Sequence, residues 1–377
     1  MEDGERKKIW NHLLYYLSKS KLLQFPFSDA DVDSLDTDDF LEILIYLFAN
    51  YTKNIVWEEP YSFYEEVTEE TTFIKGRLDF PDYIRDNLST GRWQYFTCNY
   101  EPFQYDNRLN RIIKFTCRYL QSFTKESTEI LNSIIFILDE VSDIKCTAQD
   151  CSKVKLNPLF ENYKAILEMC KLFLENLSIN NEDEESSNFS FLVPMEKVFE
   201  EFVFNSLGEI CKERERGENY SVKSQSTKYL AIREGSQVKD VFQMQNDILL
   251  YQNNKLKAIL DTKYKMRDLS NLDFKAGVSQ VDIYQMVSYS IGRGCENCYL
   301  IYPENSYENL HNAKEPVTFS ISSRLLDSSV IKIKAINIPV TSERGNYSEM
   351  KADIEKDLKK KWNEVILDAS KRVILQK

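Results

Sequence analysis

The sequence predicts an α/β protein, α+β overall, built from two domains. Three observations lead there. At 377 residues the chain is longer than one hydrophobic core usually supports. Its apolar periodicity is mostly helical before residue 180, whereas strand-like and helical segments alternate after residue 190. Between them lies NNEDEESSN at 180–188, polar, acidic and aperiodic, which reads as a linker or exposed loop. The division is therefore 1–188, mainly helical with a small β element, and 189–377, a mixed sheet flanked by helices.

Helical spacing begins at 9–24, with Ile9, Leu13, Leu14, Tyr16 and Leu17, and recurs at 38–50, where Asp36 to Asp39 offer N-caps. Residues 54–80 are rich in aromatic and β-branched residues and end in IKGRLDF, which reads as strand, glycine turn and strand. Helical periods return at 106–122, 127–141 and 158–176. After the acidic stretch, Pro194 opens a helix to about Cys211 whose apolar face holds Met195, Val198, Phe199, Phe202 and Val203. Strands are expected at 228–233, 246–251 and 256–263, a helix near 279–292, and strands at 298–302, 316–320 and 330–339. A lysine-rich helix follows at 349–370.

Composition narrows the chemistry. No run of about 20 apolar residues is present, so no membrane span is expected. The first residues lack a signal-peptide pattern, and a soluble, cytoplasmic protein is expected. With two histidines in the chain, His12 and His311, histidine triads and His-rich metal sites are disfavoured. Eight cysteines are scattered, and Cys295-Glu-Asn-Cys298 alone has CxxC form without a second ligand pair, so reduced, partly buried thiols are expected. Hydrolytic chemistry would then rest on carboxylates, lysine and metal.

The net charge of −12 is unevenly placed. Residues 1–188 carry 20 Lys and Arg against 34 Asp and Glu, a charge of −14, and residues 189–377 carry 28 against 26, a charge of +2. The acidic half suits protein contact, and the balanced half suits metal-binding carboxylates beside phosphate-binding lysines.

The chemistry-bearing stretch is NDILLYQNNKLKAILDTK at 246–263. Gln252-Asn253-Asn254 is a turn signal between two β-rich runs, so a hairpin is expected. Strand alternation puts Asp261 and Lys263 on one face and Leu256, Ala258 and Leu260 on the other. Asp247, near the start of the preceding strand, would lie across from them. Two carboxylates and a lysine are the groups that Mg²⁺-dependent phosphodiester hydrolysis uses: oxygen ligands for a hard cation, and a donor to orient water or balance charge. An ordinary surface hairpin would carry the same residue types. Glu200, on the helix before the strands, is a third acidic candidate; neighbouring Glu201 is expected to be solvated, though the sequence leaves open which of the two faces the metal site. Gln285 and Tyr289 share one helix face at i,i+4 and would support the site.

These segments resemble, in order, those of the McrC family. FLVPMEKVFEEFV at 191–203 is similar to its first nuclease helix, ILDTKYK at 259–265 to its most specific motif, and DIYQMVSYS at 282–290 with LIYP at 300–303 to the segment after it. FIKGRLDF at 73–80 resembles its Lys/Arg-Gly-Arg turn, DNRLNRIIKFTCRYL at 106–120 its Asn-Arg-Ile-Ile-Lys helix, and IWNHLLYYL at 9–17 the opening helix of short members. The resemblance implies that 189–377 is a PD-(D/E)xK endonuclease domain and 1–188 a partner-binding domain. It implies catalytic Asp247, Asp261, Lys263 and Glu200, with the three acids holding Mg²⁺. The implied partners are double-stranded DNA with modified bases and a McrB-like AAA+ GTPase. Asn246 stands where the motif name has proline. No phosphate-binding Gly-x-x-x-x-Gly-Lys-Ser/Thr loop occurs, so GTP is expected on the partner. Lys75 and Arg77, two cations around Gly76 in an acidic domain, are candidates for the partner contact. Ion pairing with Glu69, Glu70 or Asp79 is the plainer role for them. The competing functional readings are an adaptor that activates the GTPase through a degenerate nuclease half, and a stand-alone nuclease of the RecB or Cas4 type.

Overall fold

The structure, a computed structural model, describes residues 3–21, 25–64, 67–100, 103–180, 192–214, 219–233, 239–267, 274–304, 316–322 and 330–370. Two compact units emerge, one of Phe25–Phe191 and one of Met1–Gln24 with Leu192–Lys377. The expected division at 188 is thus corrected at its N-terminal side: helix α1 (Asp3–Ser18) belongs with the C-terminal unit. The cause is packing. Leu14, Tyr15 and Leu17 are buried, and the Tyr15 and Tyr16 rings stand nearly edge-on to Phe202 at 5.6 and 5.2 Å. Nδ2 of Asn205 also donates to the Lys19 carbonyl at 2.6 Å.

The 25–191 unit begins with a short helix, α2 (Asp29–Asp33), closed by a Ser28 capping box. Helix α3 (Phe40–Glu58) is capped by Asp39, as the Asp36–Asp39 run suggests. It runs past residue 50 because Thr52 and Val56 continue its buried stripe, which displaces the strand expected from 54. The β element is composite. Strands β1 (Phe63–Tyr64), β2 (Val67–Thr71) and β3 (Arg77–Leu78) precede a short helical turn, α4 (Phe80–Asp82). Strands β4 (Phe96–Tyr100) and β5 (Phe103–Gln104) complete it. The order β2-β4-β3 forms an antiparallel sheet, and β1 pairs with β5. Gly76 is required at the turn: its φ is +62°, and a Cβ there would lie 2.6 Å from the Asn99 carbonyl oxygen.

Helices α5 (Arg108–Leu120), α6 (Thr128–Ile137), α7 (Ala148–Cys151) and α8 (Asn162–Asn180) finish this unit. Helices α3, α5, α6 and α8 pack on one another. Of the acidic stretch at 180–188, Asn180 ends α8 and the remainder lies outside the described residues.

In the second unit, helix α9 (Met195–Glu213) leads into β6 (Tyr220–Arg233), β7 (Lys239–Gln252) and β8 (Lys255–Thr262). Then come α10 (Gln280–Arg293), β9 (Asn297–Pro303), β10 (Val317–Ser322), β11 (Val330–Ile338) and α11 (Tyr347–Ser370). The strands form one mixed sheet in the order β10-β11-β9-β8-β7-β6, with β9 parallel to both β8 and β11. The β7–β8 connection is the expected hairpin. Asn253 and Asn254 have φ of 50° and 59°, the left-handed pair that a two-residue primed turn needs and asparagine tolerates.

Helices cover both sheet faces. Met286 and Tyr289 of α10 pack with Leu249, Ile259, Cys298, Leu300 and Ile333. Tyr299 alternates to the opposite face from Leu300, where its hydroxyl donates to Asp368 of α11 at 2.5 Å. There the Trp362 indole of α11 donates to Ser206 Oγ of α9 at 3.1 Å. Among the described residues no helix is long and apolar enough to cross a membrane.

Candidate active site

The centre of the sheet delivers the hairpin residues to one place. Ile248 pairs with Leu260 and Leu249 with Ile259, so the register carried one step further sets Asp247 opposite Asp261. Directly opposed residues in an antiparallel pair point to the same face. Asp261 also lies beside Leu300 of the parallel neighbour β9, hence within the sheet and not on a surface hairpin. Its residue exposure is 1%. Strand β7 begins at Lys239, earlier than expected, so Asp247 sits in mid-strand, where the β8 pairing ends.

The hydrogen bonds define the arrangement. Lys263 Nζ lies 2.5 Å from Asp261 Oδ2 and donates to Gln285 Oε1 at 3.1 Å. The Gln285 amide spans to Asp261 Oδ1 at 3.3 Å and to the Tyr289 hydroxyl at 2.7 Å. Tyr289 in turn donates to the Gln245 carbonyl at 2.7 Å. Gln285 and Tyr289 thus tie α10 to both catalytic-candidate strands, as their i,i+4 spacing suggests. Asp247 Oδ2 accepts from the backbone and hydroxyl of Thr262 at 2.8 and 2.9 Å. Its Oδ1 stays open, with no protein donor among the described residues.

Glu200 and Glu201 divide their roles. Glu200 is half-buried; burial and then the Asp247 carboxylate raise its pKa. Its Oε1 accepts a hydrogen bond from Gln225 at 3.4 Å. Glu201, expected to be solvated, is instead buried and accepts the Lys21 backbone N–H at 2.6 Å. It anchors the chain beyond α1, and Glu200 is the acid coupled to Asp247.

The electrostatics follow from burial. Asp261 is pushed well above the usual carboxylate range by burial, then by Asp247, and Lys263 only partly offsets this. Burial alone would lower the Lys263 pKa, but the Asp261 carboxylate outweighs it and the net shift is upward. Lys263 is therefore a cation and a donor at neutral pH. The site holds more negative charge than its one lysine balances, and its donor atoms are carboxylate oxygens, the set a hard divalent cation takes. Among the described residues no group of three or more His, Cys, Asp or Glu is placed to hold a metal ion. Mg²⁺ does not require one, since it commonly binds through one or two carboxylates, water and substrate phosphate.

Sequence reasoning missed several supports. Asp282, buried on α10, accepts from Lys265 at 2.6 Å and from the Tyr302 hydroxyl at 3.4 Å. Thr262, the variable position of the Asp-x-Lys motif, fixes Asp247. Asn246 is fully buried: Arg293 Nε donates to its Oδ1 at 2.8 Å, while its Nδ2 has no partner among the described residues. Of these, only the lysine of DTKYK offered a visible signal. The CxxC cysteines pack in the apolar cluster on the α10 face, and all eight cysteines are free and buried.

Lys75 and Arg77 lie far along the chain, at the β3 turn. Lys75 Nζ sits 5.0 Å from the Phe73 ring centre and 5.1 Å from that of Tyr100. The three acids that would pair locally are otherwise engaged: Glu70 with Arg92, Glu69 with the Tyr100 hydroxyl, and Asp79 with Asn99. Arg77 is exposed and makes no side-chain ion pair or hydrogen bond among the described residues.

Fold and site together define an α/β protein with a buried acid–lysine cluster at the end of a central strand. Residues 2–303 match the family described as the McrBC 5-methylcytosine restriction system component, and the chain belongs to that family. A comparison with curated proteins finds no match. Among solved structures, the half-complex from a tetradecameric assembly of Thermococcus gammatolerans McrB AAA+ hexamers with bound McrC is similar over 94% of this chain and 76% of that one. Identity is 19% and the TM-score 0.61, a likeness of fold. The cryo-EM structure of the Thermococcus gammatolerans McrBC complex matches at 22% identity, over 53% of this chain and 58% of that one, with a TM-score of 0.43.

Proposed function

We propose that this chain is the DNA endonuclease subunit of a McrBC-type restriction system, a Mg²⁺-dependent enzyme of the PD-(D/E)xK type. The observation that carries the reading is Asp261. A carboxylate 1% exposed, facing a second carboxylate and paired with a lysine on its own strand, is costly to keep unless it serves chemistry. Asp247 and Asp261, with Glu200 beside them, are the groups that would hold Mg²⁺. When bound, the cation supplies an acidified water and charge stabilisation at the phosphate. Lys263, held cationic, donates to the attacking water or to the phosphate oxygen that gains charge. Gln285 fixes both Asp261 and Lys263 so that neither reorients during reaction, and Tyr289 holds Gln285.

The 25–191 unit is the partner-binding part, and the partner is a McrB-like AAA+ GTPase that binds GTP and recognises modified double-stranded DNA. Support comes from the segment around the β3 turn. Phe73, Ile74, Phe80, Ile84, Leu88 and Trp93 are each at least half exposed, with Arg77 among them free of local acids. Apolar exposure of that density on a short segment suits a protein contact, and an arginine fork suits a carboxylate across it. The adaptor reading draws on the absence, among the described residues, of any group of three such ligands placed to hold a metal ion. Cleavage of modified plasmid with the partner, GTP and Mg²⁺ separates the two: the endonuclease cuts, and Lys263→Ala does not.

A further inference from the structure

The β6–β7 ladder loses two rungs, Leu230 with Phe242 and Gln225 with Asp247, and the second belongs to the site. Ser224 pairs with Ile248 and Ser226 with Asn246, while Gln225 and Asp247 between them form no pair. Gln225 has φ of 46°, a left-handed conformation that a non-glycine residue adopts at a cost. The register is the same on either side, so no residue is inserted. The Gln225 side chain reaches α9, where its Nε2 donates to Glu200 Oε1 at 3.4 Å. The next rung is clamped from α10: Arg293 donates to Asn246 Oδ1 at 2.8 Å, to the Ser226 carbonyl at 2.8 Å and to Ser226 Oγ at 3.0 Å. Both strands are thereby pinned immediately beside Gln225 and Asp247.

We infer that Gln225 is a positioning residue, held in its strained backbone by the Arg293 clamp, which orients Glu200 toward Asp247 so that the two acids share one divalent cation. The inference rests on the metal-dependent reading above. A regular pair opposite Asp247 would return Gln225 to the strand and leave Glu200 without a side-chain donor.

The test separates side chain from backbone. In the full chain, stripped of metal, Mn²⁺ binding is measured by calorimetry for the wild type, Gln225→Gly, Gln225→Ala and Asp261→Ala. Glycine accepts a positive φ, so Gln225→Gly keeps the irregular rung and removes only the amide. The expected result is Mn²⁺ binding weakened by about three- to tenfold in both Gln225 variants, the yield of one hydrogen bond. The Gln225→Gly melting temperature should be unchanged or raised. With the partner present, the Mg²⁺ concentration for half-maximal cleavage should rise by a similar factor while the rate at saturating Mg²⁺ is retained. Wild-type Mn²⁺ affinity in Gln225→Gly, whatever Gln225→Ala does, assigns the rung to backbone alone and overturns the inference. Wild-type affinity in Asp261→Ala overturns the metal-site reading as well, and so distinguishes the two failures.

Discussion

The two units bury polar groups in opposite ways. In the 25–191 unit, buried Lys114 donates to the Val141 and Asp139 carbonyls at 2.6 and 3.3 Å and pairs with Asp143 at 3.5 Å. Buried Asn107 and Asn110 both donate to the Tyr61 carbonyl, at 3.2 and 2.9 Å. Buried Glu42 accepts from Thr124 and Ser127. These groups are matched, apart from Asn110 Oδ1, which has no partner among the described residues, and they hold loops to helices. In the sheet unit, Asp261 is buried against another carboxylate and its charge is under-compensated. The lesson is that burial of a polar group marks structure where its partners are complete, and marks chemistry where like charges are left facing.

Charge makes the same division. Residues 25–191 carry 15 Lys and Arg against 31 Asp and Glu, a charge of −16, and the remaining residues carry 33 against 29, a charge of +4. Assigning α1 to the sheet unit therefore sharpens the contrast that the division at 188 gives. The helical unit repels a polyanion, and the sheet unit can approach one.

The largest effect is expected from Asp247→Ala, with orders of magnitude lost in Mg²⁺-dependent cleavage and only about 1 kcal/mol in stability, since the Thr262 bonds are its visible structural contribution. Cleavage kinetics and thermal melts check both halves, and retained cleavage would dissolve the contrast. Lys114→Ala should do the reverse: roughly 3 kcal/mol of stability lost from two stranded carbonyls and a cavity, with Mn²⁺ affinity unchanged. Calorimetric melting and metal titration measure it. Arg77→Ala should weaken partner binding or GTPase stimulation by about five- to tenfold without altering Mn²⁺ binding. Identical GTP-turnover titrations would return Arg77 to an idle surface residue. The smallest effect belongs to Cys295→Ala with Cys298→Ala, where elemental analysis should find the same metal content as in the wild type. Zinc or iron lost in the double variant would show the core reading of these thiols to be wrong.

Much of this was legible because period and turn chemistry are local. The β8 strand, its Asn-Asn turn, α9 and α10 follow from spacing alone, and with them the shared face of Asp261 and Lys263. The resemblance supplied the order of motifs, yet one of them proved structural: in DNRLNRIIKFTCRYL, Asn107, Asn110 and Lys114 hold the helical unit together. Elsewhere the deciding contacts are long-range. Nothing near residue 15 shows that α1 packs against Phe202, and nothing near Glu201 shows that Lys21 claims it. The strand β4 was missed although FTCNY alternates, because five residues carry a weak signal and its identity depends on β2 and β3 lying on either side. The Gln225 irregularity leaves no mark in composition, since a positive φ at glutamine is imposed by its surroundings.

On the proposed reading, cleavage resides in the sheet unit and partner activation in the helical one. The most direct test is Asp261→Ala in the full chain, assayed with the GTPase partner for both plasmid cleavage and GTP turnover. Cleavage of modified plasmid should disappear while stimulation of GTP turnover matches the wild type. Cleavage at the wild-type rate, or stimulation lost together with cleavage in a variant that melts normally, would contradict that reading.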